Sequence, residues 1–313
     1  MTWCGPGATL GSALLKLPVT YLAALALTFN AFVWGLSWWP FRALQGHGLH
    51  PLWATALVYL FAVVCLMLVR PAAWRDLRKP SLLWLLFLSS GLTNVGFNWA
   101  VTVGDVVRVV LLFYLMPAWS VLVAWWMLGE KPTAASLFRL GLAMAGVLVV
   151  LKTPDSDWPV PQGAADWLAI GGGFSFAVTN SLLRKCADTP GGSRMLAMFG
   201  GSGLLAALAA LLGMALEVVP GPALQAGGIP VMLGLGLAFM ASNTALLYGA
   251  ARLTAGTTAI VMLTEILFAS LSSAAMGAAE LTPRILLGGS LIVLAAALAA
   301  LAPSAEKGRT GAK

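Results

Sequence analysis

Charged side chains are scarce in this chain of 313 residues. Lys, Arg, Asp and Glu together make up 9% of it, whereas a soluble globular domain carries roughly 25%. Apolar residues account for 60%, so an ordinary soluble domain is excluded and a polytopic membrane protein is indicated. Because lipid offers the backbone no hydrogen-bond partners, segments that cross it must be helical, and we predict an all-α fold.

Groups that carry catalysis or bind metals are also scarce. The three cysteines, Cys4, Cys65 and Cys186, share no short spacing, and the only two histidines lie together in one loop, so neither a disulfide framework nor a metal site is predicted. Paired acids and glycine-rich phosphate loops are absent. We therefore predict no catalytic residues, no metal and no cofactor, and the lack of basic stretches interleaved with aromatics argues against nucleic acid as a partner.

What the chain does contain is a series of long uncharged stretches. A helix needs about 18 or more such residues to cross the hydrocarbon core, and ten stretches of this kind are present. The predicted spans are residues 19–40, 52–70, 81–101, 108–128, 136–152, 164–183, 195–218, 229–248, 255–278 and 284–302. Arg139 falls in the first turn of the fifth span, where its side chain must extend toward the headgroups.

The distribution of Lys and Arg predicts how the chain is oriented. If the N-terminus is inside, all but four of the 18 basic residues lie on the cytoplasmic side; the exceptions are Arg42, Arg108, Lys152 and Arg284. This asymmetry follows the positive-inside rule, so we predict that both termini are cytoplasmic. The net charge of +7 then reflects topology and contact with an anionic lipid bilayer.

An internal repeat divides the chain into two halves. Residues 98–133 are echoed by residues 248–283, and each copy has a long apolar span that is closed by a small residue and Glu, at Gly129-Glu130 and Ala279-Glu280. Glu130 and Lys131 are interpreted as solvated loop charges. Since each half holds five spans, an odd number, the second half enters the membrane from the opposite side. The predicted units are a first five-helix repeat at 1–152, an inverted second repeat at 153–302 and a cytoplasmic tail at 303–313, an arrangement typical of secondary transporters.

The same features resemble a known family. The ten spans, the two copies of the repeat, the segment LGEKPT after the fourth span and the glycine-rich fifth span RLGLAMAGVLVVLK resemble EamA-type members of the drug/metabolite transporter superfamily, over nearly the whole chain. The resemblance implies a five-plus-five inverted repeat, a bacterial inner-membrane location and the transport, often export, of small metabolites such as amino acids. One departure is that the second copy reads TEIL without a following proline, so only the first copy has a proline, Pro117, to kink its span.

Polar and aromatic residues at membrane depth define a candidate site. Asn94 and Asn98 are four residues apart, so their side chains lie on one face of a helix and can be directed at a common space. We predict a substrate-binding or coupling site formed by Asn30, Trp34, Asn94, Asn98, Tyr114, Trp119, Asn180, Asn243 and Glu265. The competing interpretation is that the amides join helices, at an average of about 0.6 kcal/mol each, and that the aromatic residues fill the core.

Glu265 is the only ionisable residue near the centre of any predicted span. A charge at that depth costs about 2.5–3.5 kcal/mol, so an acid kept there is a functional-site hypothesis. Three roles remain open: a proton carrier, a cation site that faces an amine, or a protonated packing group that is hydrogen-bonded to another helix. Asn30, Asn94 and Tyr114 are the candidate partners.

From these observations we expect a secondary transporter of small, amino-acid-like solutes that exports them by alternating access. Efflux of cationic or amphipathic drugs is the alternative within transport, and a membrane receptor or scaffold without transport is the alternative from another class. The sequence leaves open the substrate, the direction, proton coupling and the oligomeric state.

Overall fold

The computed structural model describes residues 19–79, 81–104, 106–152, 161–277 and 281–301. All regular secondary structure in these ranges is helical, which confirms the predicted all-α fold. The helices are α1 (Val19–Leu36), α2 (Trp38–Gly46), α3 (Pro51–Val69), α4 (Ala73–Leu77), α5 (Leu82–Val103), α6 (Val106–Phe113), α7 (Met116–Leu128), α8 (Ala134–Leu151), α9 (Ala164–Lys185), α10 (Gly191–Ala215), α11 (Gly228–Ala250), α12 (Ala255–Met262), α13 (Glu265–Ala275) and α14 (Pro283–Ala300). Glu280 and the predicted tail at 303–313 lie outside the described residues.

Eight segments of the described chain are long and apolar enough to cross a membrane, and they coincide with eight of the ten predicted spans. They are Val19–Gly46, Pro51–Val69, Arg108–Leu128, Ala134–Leu151, Gly191–Ala215, Gly228–Ala250, Ala255–Ala275 and Pro283–Ala300. The other two predicted spans, 81–101 and 164–183, coincide with α5 and α9, which are helices of 22 residues each and carry several Asn, Ser and Thr side chains. That α5 and α9 cross the membrane therefore stays a prediction.

The central helices pack across the two halves of the chain. Helix α5 packs against α9 and α10, while α11 packs against α1 and α3, and α13 packs against α1. The largest fully buried side chains of this core include Leu27, Phe199, Phe239 and Leu263. Because the closest helix pairs join residues from both halves, the space between the halves is where a central cavity forms.

Glycines allow the closest of these helix contacts. On α8, a Cβ at Gly146 would lie 2.7 Å from the Gly288 carbonyl of α14, and a Cβ at Gly288 would lie 2.6 Å from the Gly146 carbonyl. The Arg139 Nη1 of α8 also donates to the Leu298 carbonyl of α14 at 3.5 Å. Small residues at such contacts let membrane helices approach until their backbones touch.

Gly201 of α10 gives a prediction about stability. A Cβ at this position would overlap the Phe87 carbonyl of α5, so Gly201→Ala must push two central helices apart. Overpacking of this kind costs about 1–3 kcal/mol, and we expect a clearly lower melting temperature for the purified protein. Gly234→Ala on α11, where a Cβ would meet nothing within 4 Å, is the matched control. Equal melting of both variants and the parent chain would contradict this packing.

Candidate functional site

The fourth predicted span is interrupted at residues 114 and 115, between α6 and α7. Pro117 lies in the first turn of α7, where it has no N–H to donate to the preceding turn. The chain tightens there, since the Leu115 N–H donates to the Leu112 carbonyl at 3.3 Å. The helix is therefore interrupted next to Pro117, where the sequence predicts a kink.

The ninth predicted span is interrupted as well, at residues 263 and 264, although it has no proline. The Leu263 N–H donates to the Ile260 carbonyl at 3.2 Å and the Thr264 N–H donates to the Val261 carbonyl at 3.1 Å. The Thr264 hydroxyl donates to that same Val261 carbonyl at 2.8 Å. A threonine that bonds locally in this way competes with the regular helical ladder, so the second break arises without the residue that marks the first.

The two breaks bring Glu265 and Tyr114 together. Glu265 is the first residue of α13, and its carboxyl group and the Tyr114 hydroxyl are side-chain hydrogen-bond partners. Tyr114 is thus the one of the three candidate partners that the structure pairs with the acid. The N-terminal end of a helix favours negative charge, so its position on α13 also suits a carboxylate.

Helix α1 approaches the same point closely. A Cβ at Gly35 would lie 2.7 Å from the Glu265 carbonyl oxygen and 2.6 Å from the Phe268 Cβ. The absence of a side chain at Gly35 therefore lets α1 pack directly against the first turn of α13.

A cavity of about 1010 Å³ opens beside Glu265. Its size is at the upper end of the range for small-molecule sites, about 300–1,000 Å³. Eight of the nine predicted site residues line it: Asn30, Trp34, Asn94, Asn98, Tyr114, Asn180, Asn243 and Glu265. The structure therefore brings together residues from five helices and one helix break that the sequence spreads over more than two hundred positions.

Trp119 is the predicted site residue that does not line this cavity. Its ring packs edge-on against Phe174, with centroids 5.8 Å apart, and its indole Nε1 is buried without a hydrogen-bond partner. Trp119 points away because it follows the break on α7 and faces α9. Its contacts are those of a packing residue.

Two of the cavity asparagines also join helices. The Asn98 Nδ2 donates to the Thr55 hydroxyl at 2.7 Å. The Asn94 Nδ2 donates to the Ser90 carbonyl at 3.1 Å and to the Ser202 hydroxyl at 2.9 Å. Both amides therefore contribute to packing as well as to the cavity wall.

The other asparagines of the cavity differ in how many hydrogen bonds their side-chain amides form. The Asn30 Nδ2 donates to the Ser242 carbonyl at 2.9 Å and to its hydroxyl at 2.6 Å, while the Asn30 Oδ1 has no partner. The Asn243 Nδ2 donates to the Phe239 carbonyl at 2.9 Å. Asn180 is 1% exposed and neither of its amide atoms has a partner. A buried amide without partners is costly, so Asn180 is the group most available to a ligand.

An aromatic wall completes the cavity, and most of it was not predicted. Trp34 stacks on Phe239 with ring centroids 4.4 Å apart, and Tyr59 lies 5.6 Å from Phe199 and 5.8 Å from Phe239. The Tyr59 hydroxyl donates to the Asn94 Oδ1 at 3.5 Å. Tyr59, on α3, and Phe199, on α10, lie in spans with few polar groups, so no sequence signal distinguished them from core residues.

The cavity reaches solvent at one end. Arg42, Gln45 and His50 line it there, and the first two are exposed. The His50 Nδ1 accepts from the Leu52 N–H at 3.3 Å and caps α3. Partial burial lowers the pKa of the His50 imidazole.

Outside the cavity lining, Glu130 and Arg184 form an ion pair. The Glu130 Oε1 lies 2.5 Å from the Arg184 Nε, and both side chains are only about one-fifth exposed. Arg184 also donates to the Leu253 carbonyl, and the Glu130 Oε2 accepts from the Ala255 N–H at 3.4 Å. The interpretation of Glu130 as a solvated loop charge was therefore wrong: burial raises the pKa of its carboxyl group, an effect that the Arg184 guanidinium opposes. These contacts join the end of α7, the end of α9 and the start of α12.

The described residues include few side chains that could form a metal or redox site. Within the described ranges, no group of three or more His, Cys, Asp and Glu side chains comes close enough to hold a metal ion. The cavity offers hydrogen-bonding groups, one carboxyl group and aromatic surface, with Arg42 and His50 at its exposed end.

Three kinds of comparison with known proteins each find similarity. Residues 21–152 match the model of the EamA-like transporter family. The chain is 30% identical over 167 residues to protein RarD of Streptomyces exfoliatus, a match that covers 50% of each protein, so it spans about half the length of that curated relative. A crystal structure of another protein, with 18% sequence identity, superposes with a TM-score of 0.74 over 88% of this chain and 96% of the other, which is a likeness of fold alone.

Proposed function

We propose that this chain, whose residues 21–152 match the EamA-like transporter family, is an EamA-type member of the drug/metabolite transporter superfamily and exports small, amino-acid-like metabolites across the bacterial inner membrane as a secondary transporter. The family consists of membrane transporters of small solutes and not of enzymes. The proposal that the chain exports small metabolites rests on the cavity of about 1010 Å³, whose wall contains Glu265 and Tyr114. A single acid that is kept at membrane depth beside a solute-sized space is typical of a transport site.

The proposal includes the inverted repeat of residues 1–152 and 153–302. Two observations support it. The fourth and ninth spans are both interrupted, at residues 114–115 and 263–264, which are equivalent places in the two copies. Helix α5 of the first half packs on α9 of the second, as α11 of the second packs on α1 of the first. Broken helices that meet at the centre of inverted repeats are the usual location of a transporter's substrate.

Alternating access follows from the two ends of the cavity. In this conformation the cavity reaches the exposed residues Arg42 and Gln45 at one end. We infer that the Glu130–Arg184 ion pair, which lies outside the cavity lining, holds the other end closed. With the N-terminus in the cytoplasm, the open end faces outward and this conformer is the one that releases exported solute. Breaking the ion pair while closing the Arg42 end would expose the same cavity to the cytoplasm.

The cavity wall suits a solute that has an amine and an apolar body. Glu265 provides the counter-charge, Asn180 provides an unsatisfied amide, and Trp34 stacked on Phe239 provides aromatic surface. An amine competing with a proton for the Glu265 carboxyl would couple export to proton entry. A cationic or amphipathic drug fits the same description, so drug efflux stays the second candidate.

A two-step experiment tests the proposed function. Purified protein is first screened for solutes that raise its melting temperature, since a ligand that binds only the folded state stabilises it. The solutes that stabilise it are then tested for uptake into proteoliposomes. We expect amino-acid-like amines to score in both steps; if only bulky cationic drugs do so, the substrate assignment fails.

Arg184→Ala gives a prediction about the closed end. The change removes the ion pair and the bond to the Leu253 carbonyl, and it leaves the largely buried Glu130 without its partner. Loss of such a partner destabilises the closed arrangement that we propose. We expect faster modification of a cysteine placed at Met262, in the cavity wall, by an impermeant thiol reagent added on the Glu130 side.

The labelling is measured in a chain whose native cysteines have been replaced by alanine. Lys185→Ala is the matched control, because Lys185 is the exposed neighbour of Arg184 and forms no ion pair with an acid in the described part of the chain. Equal labelling rates in the two variants would show that the ion pair does not hold this end closed.

A further inference from the structure

A second cavity, of about 820 Å³, lies between α3, α4, α10 and α11. It shares no lining residue with the cavity at Glu265. Three arginines line it, Arg70 at the end of α3, Arg194 in the first turn of α10 and Arg252 just after α11. All three lie where predicted spans meet the cytoplasmic interface.

Arg194 is the buried member of this group. It is 7% exposed, its Nη1 donates to the Leu183 carbonyl at 3.3 Å, and its Nε is buried without a hydrogen-bond partner. Arg194 and Arg252 repel each other electrostatically, while Asp188 attracts Arg194 from a distance. Within the described chain, neither arginine forms an ion pair with an acid, so a bound anion would relieve the repulsion.

Arg252 is held in place for such an anion. Its guanidinium lies over the Tyr248 ring, 3.7 Å from the centroid, and its Nη1 donates to the Tyr248 carbonyl at 2.9 Å. Stacking fixes the plane of the guanidinium and leaves further N–H donors, which match the geometry of a phosphate.

The N-terminus of α10 points at the same space. Gly191, Gly192 and Ser193 line the cavity, and the residue before them, Pro190, offers no side-chain cap. A Cβ at Gly191 would meet nothing within 4 Å, so there is room beside the first backbone N–H groups. An uncapped helix N-terminus next to arginines favours an anion.

One acid, Asp76, also lines the cavity. Its Oδ2 accepts from the Ser193 hydroxyl at 2.6 Å, and its Oδ1 lies 3.9 Å from the Lys79 Nζ. The carboxylate therefore has partners of its own, and the three arginines outnumber it.

The remaining wall is apolar and favours a lipid as the source of the anion. Leu66, Val69, Met240 and Leu247 line the same cavity, and Val69 is 71% exposed. We propose that this cavity binds the phosphate of an anionic phospholipid from the cytoplasmic leaflet, with an acyl chain along the apolar wall. A free phosphate would share the arginines but would leave that wall uncovered.

The test uses the purified full-length protein in a neutral detergent. Phosphatidylglycerol, phosphatidylcholine and inorganic phosphate are added separately, and the melting temperature and the bound lipid retained in native mass spectrometry are measured. We expect phosphatidylglycerol to bind and to raise the melting temperature, and the other two to have little effect. Saturation by inorganic phosphate without a preference for phosphatidylglycerol would overturn the lipid assignment.

The variant Arg70→Gln/Arg252→Gln tests the arginines while keeping the buried Arg194. Each arginine near an anionic headgroup contributes about fivefold in affinity, so we expect about thirtyfold weaker binding of phosphatidylglycerol by the double variant. Arg75→Gln is the control, because Arg75 is exposed on α4 and does not line the cavity. If the double variant binds phosphatidylglycerol as tightly as Arg75→Gln does, the proposal is wrong.

Discussion

Glu265→Gln is expected to abolish net transport and to leave the folded protein in the membrane. Glutamine keeps the shape of the side chain and its hydrogen bond with the Tyr114 hydroxyl, so helix packing at the two breaks is retained. It cannot carry a proton or balance an amine, and those are the two functional roles of an acid at this depth. The measurement is the initial rate of uptake into proteoliposomes, alongside the yield and melting temperature of the variant.

The matched control for this change is Glu217→Gln, which removes an exposed acid that does not line the cavity. It should transport at the rate of the parent chain. If Glu265→Gln also transports at the parent rate from about pH 5.5 to about pH 8, a range that brackets shifted carboxyl groups, Glu265 is a packing residue.

Asn180→Ala is expected to separate binding from stability. Both amide atoms of Asn180 are buried without partners, and such a group costs about 1–3 kcal/mol in the folded state. Its removal should leave the melting temperature of the substrate-free protein unchanged or higher. Solute binding should weaken about tenfold, since a ligand group would lose a hydrogen bond and meet an empty space.

Asn98→Ala is the matched variant because Asn98 lines the same cavity but is bonded to the Thr55 hydroxyl. We expect it to lower the melting temperature, whereas Asn180→Ala does not. Binding isotherms and melting curves of both variants check the contrast. A large loss of stability in Asn180→Ala, with solute affinity intact, would assign Asn180 to packing.

Much of the fold could be predicted from the sequence because membrane insertion imposes few options. Long uncharged stretches must be helices, so the positions of eight spans followed from length and charge alone. The polar residues of the cavity could be predicted for a related reason: amides such as Asn30 and Asn180 are unfavourable in lipid and must face the interior. Glu265 stood out most clearly, as the one acid in the middle of a span.

The parts that could not be predicted depend on tertiary contacts. The break before Glu265 is made by Thr264, which bonds to the Val261 carbonyl, and a threonine in an apolar helix usually leaves the helix intact. Tyr59 and Trp119 could not be told apart as cavity wall and packing residue, because aromatic side chains occur on every face of these helices. Glu130 looks like a loop charge until its partner Arg184, fifty-four positions away, is known.

Counterflow in proteoliposomes that contain only this chain tests the central claim most directly. Vesicles are loaded with an unlabelled solute that stabilises the purified protein, and a trace of labelled solute is added outside without nucleotide. If the Glu265 cavity is exposed to the two sides in turn, labelled solute accumulates transiently in vesicles with the parent chain. A solute that stabilises the protein but never accumulates above the level of protein-free vesicles would contradict transport and identify the chain as a receptor or scaffold.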